Sequence, residues 1–461
     1  MPGGGGLLQL VAIGKQDLFL TGNPQITWFK MVYRRYTNFA IESQQIYFDG
    51  DPDFGKRVTA VVARRGDLIG PMTLEIVLPY VTMTDGKPGA FVNTAGYALI
   101  EEITLEIGEQ EVDRQTGEWM QIWSSLTTTA SQRDALNNMI GRVDGLNIPS
   151  TPVRSGECSV GNYTYGAQKL YVPLQFWFNK NPGLYLPLLA MQYHTIRLNV
   201  KLRDLASMIN NTNLTTVCAT VQPLPAKIMQ FRLWGDYIYL DTQERRRFVA
   251  NTHEYLIEQI QYTPKVSIPE NVNTQNVRME FNHPLRELIW VLRRDQMDVT
   301  HEWFNWGSTS GNEAGISRDM LQDAVLQVDG YDRFDIRDAG YFRLVQPFQY
   351  HTTTDVKQFI YLYSFALRPE EMQPSGSLNA SRIDNMNLVI NLRPDTNEPT
   401  QLYFNNRGVR VPQGDSSVDP TRTVINPAYV PIRGKSSVVV YAKNHNVLRV
   451  VNGFAGLLFK I

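Results

Sequence analysis

The residue types that most often carry chemistry are sparse in this chain and poorly spaced for it. Its six histidines, His194, His253, His283, His301, His351 and His445, form no HxxxH or HExxH pair. No two of them would therefore share a helix face as metal ligands do, and each reads as a structural or surface histidine. Cys158 and Cys218 are the only cysteines, too few for a disulfide framework or a cysteine-rich zinc site, and they fit a reducing compartment. Cys158 sits in Ser155-Gly156-Glu157-Cys158-Ser159 without a histidine beside it, and no GxSxG elbow occurs, so nucleophilic catalysis has no positive support. Glu101-Glu102 and Glu370-Glu371 are adjacent; neighbours on a strand point to opposite faces, which makes them poor acid/base pairs. Gly3 to Gly6 lack the spacing and the strand-to-helix context of a phosphate-binding loop. The expectation is no catalytic residue, no metal and no cofactor.

One covalent possibility remains. Sequons stand at Asn162-Tyr163-Thr164, Asn210-Asn211-Thr212, Asn213-Leu214-Thr215 and Asn379-Ala380-Ser381. The first three, at Asn162, Asn210 and Asn213, fall in predicted loops and are candidate glycosylation sites by an unconventional route, because the start of the chain carries no secretory signal pattern.

The elements that would position such groups are mostly strands. Ile103, Leu105 and Ile107 alternate with charged or polar neighbours, as do Ile196, Leu198, Val200 and Leu202, and later Leu388, Ile390 and Leu392. A period of two places one face on a core and the other in water. The runs 288–292 and 438–441 are β-branched or aromatic enough for interior strands. Helices are expected to be few: Trp119, Ile122, Trp123 and Leu126 follow helical spacing, Ser131 is positioned to cap a helix to about Ile140, and a third is expected from Ser317 to Gln327. Long polar stretches at 84–94, 144–168, 307–317 and 394–427 read as loops at the ends of sandwiches. Two prolines in Val221-Gln222-Pro223-Leu224-Pro225 suggest an extended connector, giving an arm at 1–25 and sandwich domains at 26–222 and 223–461.

Composition narrows the function class. The 461 residues are 43% hydrophobic, and Lys+Arg number 44 against Asp+Glu 45, which describes a folded, near-neutral chain rather than a disordered or genome-coating one. Basic runs such as Arg34-Arg35, Arg64-Arg65, Arg245-Arg246-Arg247 and Arg293-Arg294 are read as solvated or salt-bridged faces. No direct nucleic-acid binding is expected. No stretch approaches the roughly 18 unbroken apolar residues of a membrane span.

Specific strings go further than composition. Gly14-Lys15-Gln16-Asp17-Leu18-Phe19-Leu20-Thr21-Gly22-Asn23-Pro24-Gln25-Ile26-Thr27-Trp28-Phe29-Lys30 resembles the opening of major capsid proteins of nucleocytoplasmic large DNA viruses, the group with giant viruses, chloroviruses and iridoviruses. Further matching strings follow in family order: Val172-Pro173-Leu174 with Phe176-Trp177-Phe178 and Asn181-Pro182-Gly183; Leu233-Trp234-Gly235-Asp236-Tyr237 with Glu244-Arg245-Arg246-Arg247-Phe248; Phe365-Ala366-Leu367-Arg368-Pro369-Glu370 with Gln373-Pro374-Ser375-Gly376-Ser377, Asn379 and Ser381-Arg382-Ile383-Asp384; and Tyr441-Ala442 with Asn446-Val447-Leu448-Arg449.

The resemblance implies an all-β chain of two tandem eight-stranded antiparallel jelly rolls, a double jelly roll. Three such chains would form a pseudo-hexagonal homotrimeric capsomer tiling an icosahedral shell. Implied partners are neighbouring capsomers, minor capsid and penton proteins, and an inner viral membrane close by; the implied place is the virion, assembled in a cytoplasmic virus factory. The arm, with Leu7, Leu8, Leu10, Val11 and Ile13 after its glycines, is expected to order against a neighbour. Competing readings are a transient double jelly-roll assembly scaffold and a carbohydrate-binding β-protein.

Overall fold

The computed structural model describes residues 4–81, 91–142, 168–209, 224–270, 272–308, 319–354, 358–393, 401–404, 410–411, 424–425 and 434–459. It divides into two compact units, Met1–Phe39 and Ala40–Ile461. The first holds two short helices, Gly5–Val11 and Lys15–Thr21, neither of which buries a residue. Asp17 accepts the Gly14 N–H at 3.0 Å, which satisfies one free donor at the start of the second helix.

The larger unit contains two β-sandwiches. In the first, one sheet runs in the order Phe39–Ile46, Gln230–Leu240, Leu68–Leu78, Gln168–Pro173, and its companion in the order Phe48–Asp49, Arg57–Val62, Ile196–Leu202, Ile100–Ile107, Gln110–Thr116. In the second, His253–Tyr262, Ser436–Val451, Pro284–Arg294 and Ile360–Ser364 form the spine of one sheet, and Thr274–Met279, Met386–Leu392, Leu321–Val328 and Tyr331–Asp332 form the other. Every pairing with a resolved register is antiparallel, for example Ile103↔Val200 and Ile289↔Tyr441. Alternation does what the sequence pattern requires. Ile103, Leu105, Leu198 and Val200 are fully buried in one sandwich, and Leu388, Ile390 and Leu392 are buried in the other. Gly235 leaves room for side chains of the two strands that flank it in the same sheet, since a Cβ there would stand 3.0 Å from Ile46 Cδ1 and 3.2 Å from Ile69 Cδ1.

The structure corrects several local expectations. The helix read from Trp119 and its partners is present as Gly117–Thr127, N-capped by Thr116, whose hydroxyl accepts from Trp119 N at 3.1 Å. The following helix is Ala130–Ile140 with Thr129, not Ser131, at its N-cap. The third expected helix is instead the strand Leu321–Val328, paired with Met386–Leu392. Its consecutive Ala324, Val325 and Leu326 are all buried, as an interior strand permits and an amphipathic helix does not. The helices are short: those of Gly117–Thr127 and Ala130–Ile140 reach 11 residues. Within the supposed loop 394–427, backbone strands Gln401–Phe404, Arg410–Val411 and Val424–Ile425 form a small sheet. The proline pair near 223 precedes the strand Gln230–Leu240, which still belongs to the first sandwich through its pairing with Leu68–Leu78. The next strand, His253–Tyr262, follows the helix Thr242–Ala250 and pairs with Ser436–Val451.

Candidate functional site: a buried ionic seam

The two sandwiches meet along a seam of buried charged and amide groups drawn from both. Its centre is Glu258, on the edge strand His253–Tyr262. The carboxylate is buried and receives Lys443 Nζ at 3.2 Å, Lys180 Nζ at 3.3 Å and the Arg286 guanidinium. Burial alone would raise its pKa; the attraction of Lys443, Lys180 and Arg286 outweighs that and holds it at about 2. Lys180 comes from the first sandwich and the other two cations from the second, so one carboxylate ties the halves together. Burial, with Lys180 and Arg286 nearby, pulls Lys443 down to about 7 while Glu258 opposes the shift. The first half answers with Trp123, whose ring face lies 3.7 Å from Lys443 Nζ and 4.6 Å from Lys180 Nζ.

The backbone also serves this cluster. Arg286 donates to the Glu371 carbonyl and, at 3.5 Å, to that of Arg368; Lys443 donates to the Pro369 carbonyl at 3.2 Å. The string Phe365 to Glu370 that carries part of the family resemblance is thus a carbonyl cradle for two buried cations. Burying such charges without these acceptors would cost several kcal/mol per ion.

A second node is Glu118, on the helix Gly117–Thr127 of the first sandwich. It accepts from Tyr441 Oη at 2.8 Å, Trp306 Nε1 at 3.0 Å and Arg293 at 3.4 Å, all from the second. A third closes the edges of two sheets. Gln110–Thr116 and His253–Tyr262 are edge strands that face each other without forming a ladder. Asp113 instead accepts the Ile260 N–H at 3.1 Å, and Gln259 Nε2 donates to the Val112 carbonyl. Side chains here take the place of strand pairing, which blunts both edges. Burial pushes Asp113 up to about 7 against the pull of its hydrogen bonds from Ile260 and Gln115. Beside these strands lies a cleft of about 630 Å³, whose lining includes Val112, Tyr262, Phe281 and Leu457.

The candidates read from sequence fall mostly elsewhere. Asn162, Asn210 and Asn213, with Cys158 and Cys218, lie outside the described residues. Asn379 is described, and its side chain accepts from Ser381 N at 3.2 Å as a turn cap. The histidines do not cluster: no group of three metal-binding side chains occurs among the described residues. His194 and His253 each lie 2.7 Å from a main-chain carbonyl, of Ala455 and Phe248 respectively. The Glu pairs are separated in function. Glu370 meets His351 and Glu371 meets Arg368, while Glu101 meets Lys201 and Glu102 meets Arg114. Of the basic runs, Arg34-Arg35 is exposed and Arg245 pairs with Asp67 at 2.9 Å. Arg293 pairs with Glu118 and Asp298, but Arg294 is buried, donating to the Ser308 carbonyl at 2.6 Å. The residue pattern does not reveal the seam; of its members, Arg368 and Pro369 in the Phe365–Glu370 string and Tyr441 in the Tyr441-Ala442 string fall in segments that carry the resemblance.

Two β-sandwiches fused in one chain and joined by buried charge make this a double jelly-roll protein. Comparison with known proteins sharpens the class. Residues 27–241 match the family model described as the major capsid protein N-terminus, and residues 244–456 that of the large eukaryotic DNA virus major capsid protein. The chain is 38% identical to the major capsid protein of Pyramimonas orientalis virus over 99% of both chains. It is 36% identical to that of Paramecium bursaria Chlorella virus 1, again over 99% of each. Its fold superposes on the quasi-atomic model of the PBCV-1 capsid with a TM-score of 0.71 and 30% identity, covering 94% of this chain and 100% of that one. The Faustovirus major capsid protein shares the fold at a TM-score of 0.69 with only 12% identity. The chain belongs to the large eukaryotic DNA virus major capsid protein family.

Proposed function

We propose that this chain is the structural tile of an icosahedral virion shell, acting without catalysis as a homotrimer whose six jelly rolls give a pseudo-hexagonal capsomer. The observation that carries the reading is full-length likeness to capsid proteins, with 99% of the chain aligned. A chain with two similar sandwiches presents alternating faces, and three copies closed by heterologous contacts give a ring of six. The buried seam supports this role, because it fixes the relation of the sandwiches before any neighbour arrives. Its charges are satisfied internally, which leaves a near-neutral tile of 44 basic and 45 acidic residues suited to meeting copies of itself rather than nucleic acid.

Minor capsid and penton proteins are the further partners of this reading, with a viral membrane beneath the shell and assembly in a cytoplasmic factory. The arm, which we place at residues 1–25, would order against a neighbouring copy, and Asn162, Asn210 and Asn213 would be the glycan sites. We draw the border between the sandwiches in the helix Thr242–Ala250. Electron microscopy with mass measurement on the purified chain tests the proposal. Trimers with a hexagonal outline support it, and a monomer at micromolar concentration overturns it.

A further inference from the structure

We propose that His351-Thr352-Thr353 is a latch between the two sandwiches, in which His351 positions the segment so that Thr353 can hold the end of the first-sandwich helix. The helix Gly117–Thr127 runs out of internal partners at its C-terminus, as every helix does. The second sandwich supplies them. Thr353 N donates to the Leu126 carbonyl at 3.0 Å, and Thr353 Oγ1 donates to the Thr128 carbonyl at 2.6 Å.

Two residues earlier, His351 is buried and engaged through both ring nitrogens, with Nε2 2.9 Å from Glu287 and Nδ1 3.0 Å from Glu370. An imidazole flanked by two carboxylates donates to both only as the cation. Glu370 also accepts the Thr352 N–H at 2.8 Å and the Thr352 hydroxyl, so it grips the latch at two residues. The groups that face His351 come from several elements. Glu287 comes from Pro284–Arg294 and Glu370 from the 365–371 string. Trp123, edge-on at 6.0 Å, comes from the helix itself. Lys443 and Lys180 lie over the Trp123 ring, with Glu258 and Arg286 beyond them. Burial would lower the His351 pKa, but Glu287 and Glu370 outweigh it and hold the ring charged up to about 9. The latch is thus a property of the single chain, independent of what the chain assembles into.

The test uses the full-length chain and its His351→Gln and Thr353→Val variants, with denaturant unfolding from pH 6 to 10 and amide hydrogen exchange. His351 is bound to its proton in the fold and not in the unfolded chain between about 6.5 and 9. The ratio of unfolding constants between His351→Gln and wild type should therefore shrink by up to tenfold per pH unit across that window. A ratio constant from pH 6 to 10 overturns the charged role of His351. Thr353→Val should speed exchange of the amides at Leu126, Thr127 and Thr128 by at least tenfold while leaving the strand Pro284–Arg294 unchanged; unaltered exchange at the helix end overturns the latch. If His351→Gln does not fold, Thr353→Val alone decides.

Discussion

Replacing Glu258 by glutamine keeps the shape of the side chain and removes the anion shared by two buried cations, Lys443 and Arg286, and by the more exposed Lys180. The cost follows from the carboxylate's own titration. A fall from the usual 4.5 to about 2 in the folded protein is roughly 2.5 units, and at 1.36 kcal/mol per unit this amounts to about 3 kcal/mol at neutral pH. Breaking a buried ion pair by removing one partner costs about 3–5 kcal/mol, which agrees. The sign is that of a depressed acid: the contribution is present above pH 4.5 and is lost as pH falls through about 2. Urea unfolding of Glu258→Gln and wild type, followed by tryptophan fluorescence because Trp123 lies over Lys443, should give a gap of about 3 kcal/mol at pH 7. The gap should narrow as the pH is lowered from 4.5 towards 2. A loss below about 1 kcal/mol at pH 7, the scale of an exposed ion pair, would refute the view that Glu258 anchors the seam.

Other outcomes follow from the same geometry. Trp123→Leu removes the ring face beneath Lys443 and Lys180 and should cost about 2 kcal/mol or more in unfolding free energy, whereas Trp123→Phe should retain part of it. Gly117→Ala should abolish soluble expression, because its Cβ would collide with the carbonyl oxygens of Tyr97 and Ile100. The control is Gly50→Ala, where nothing lies within 4 Å and only the backbone conformation at φ +93° is strained. Deleting residues 1–25 should leave trimers intact, as read by mass, and impair their assembly into shells; failure to form trimers would count against an arm that acts between capsomers.

Most of the core was legible because strand burial is local information. The alternating apolar positions of 100–107, 196–202 and 386–392 are buried in the fold, while most of the polar positions between them are half-buried, with Thr104 and Asn199 buried as well. The strand Leu321–Val328 was misread because Met320, Leu321, Val325 and Leu326 happen to match helical spacing. What decides it is long-range pairing with Met386–Leu392, including a register shift between Leu321 and Asp323. The seam was invisible for a related reason. Lys180 and Glu258 are 78 residues apart in sequence and Arg286 and Glu258 are 28 apart, and nothing in either neighbourhood marks them as partners. Charge-pattern reading assigns such residues to water by default, and Arg294 shows the same failure. In sequence, the string Phe365 to Glu370 carries only a resemblance. Its physical content, carbonyls aimed at Arg286 and Lys443, emerges only from the fold.

The central claim is that this chain tiles a shell as a trimer. Mass measurement and negative-stain imaging of the purified protein at micromolar concentration test it most directly. A trimeric tile requires a particle of three times the 52.6 kDa chain with a hexagonal outline, and a 52.6 kDa monomer without that outline would contradict it.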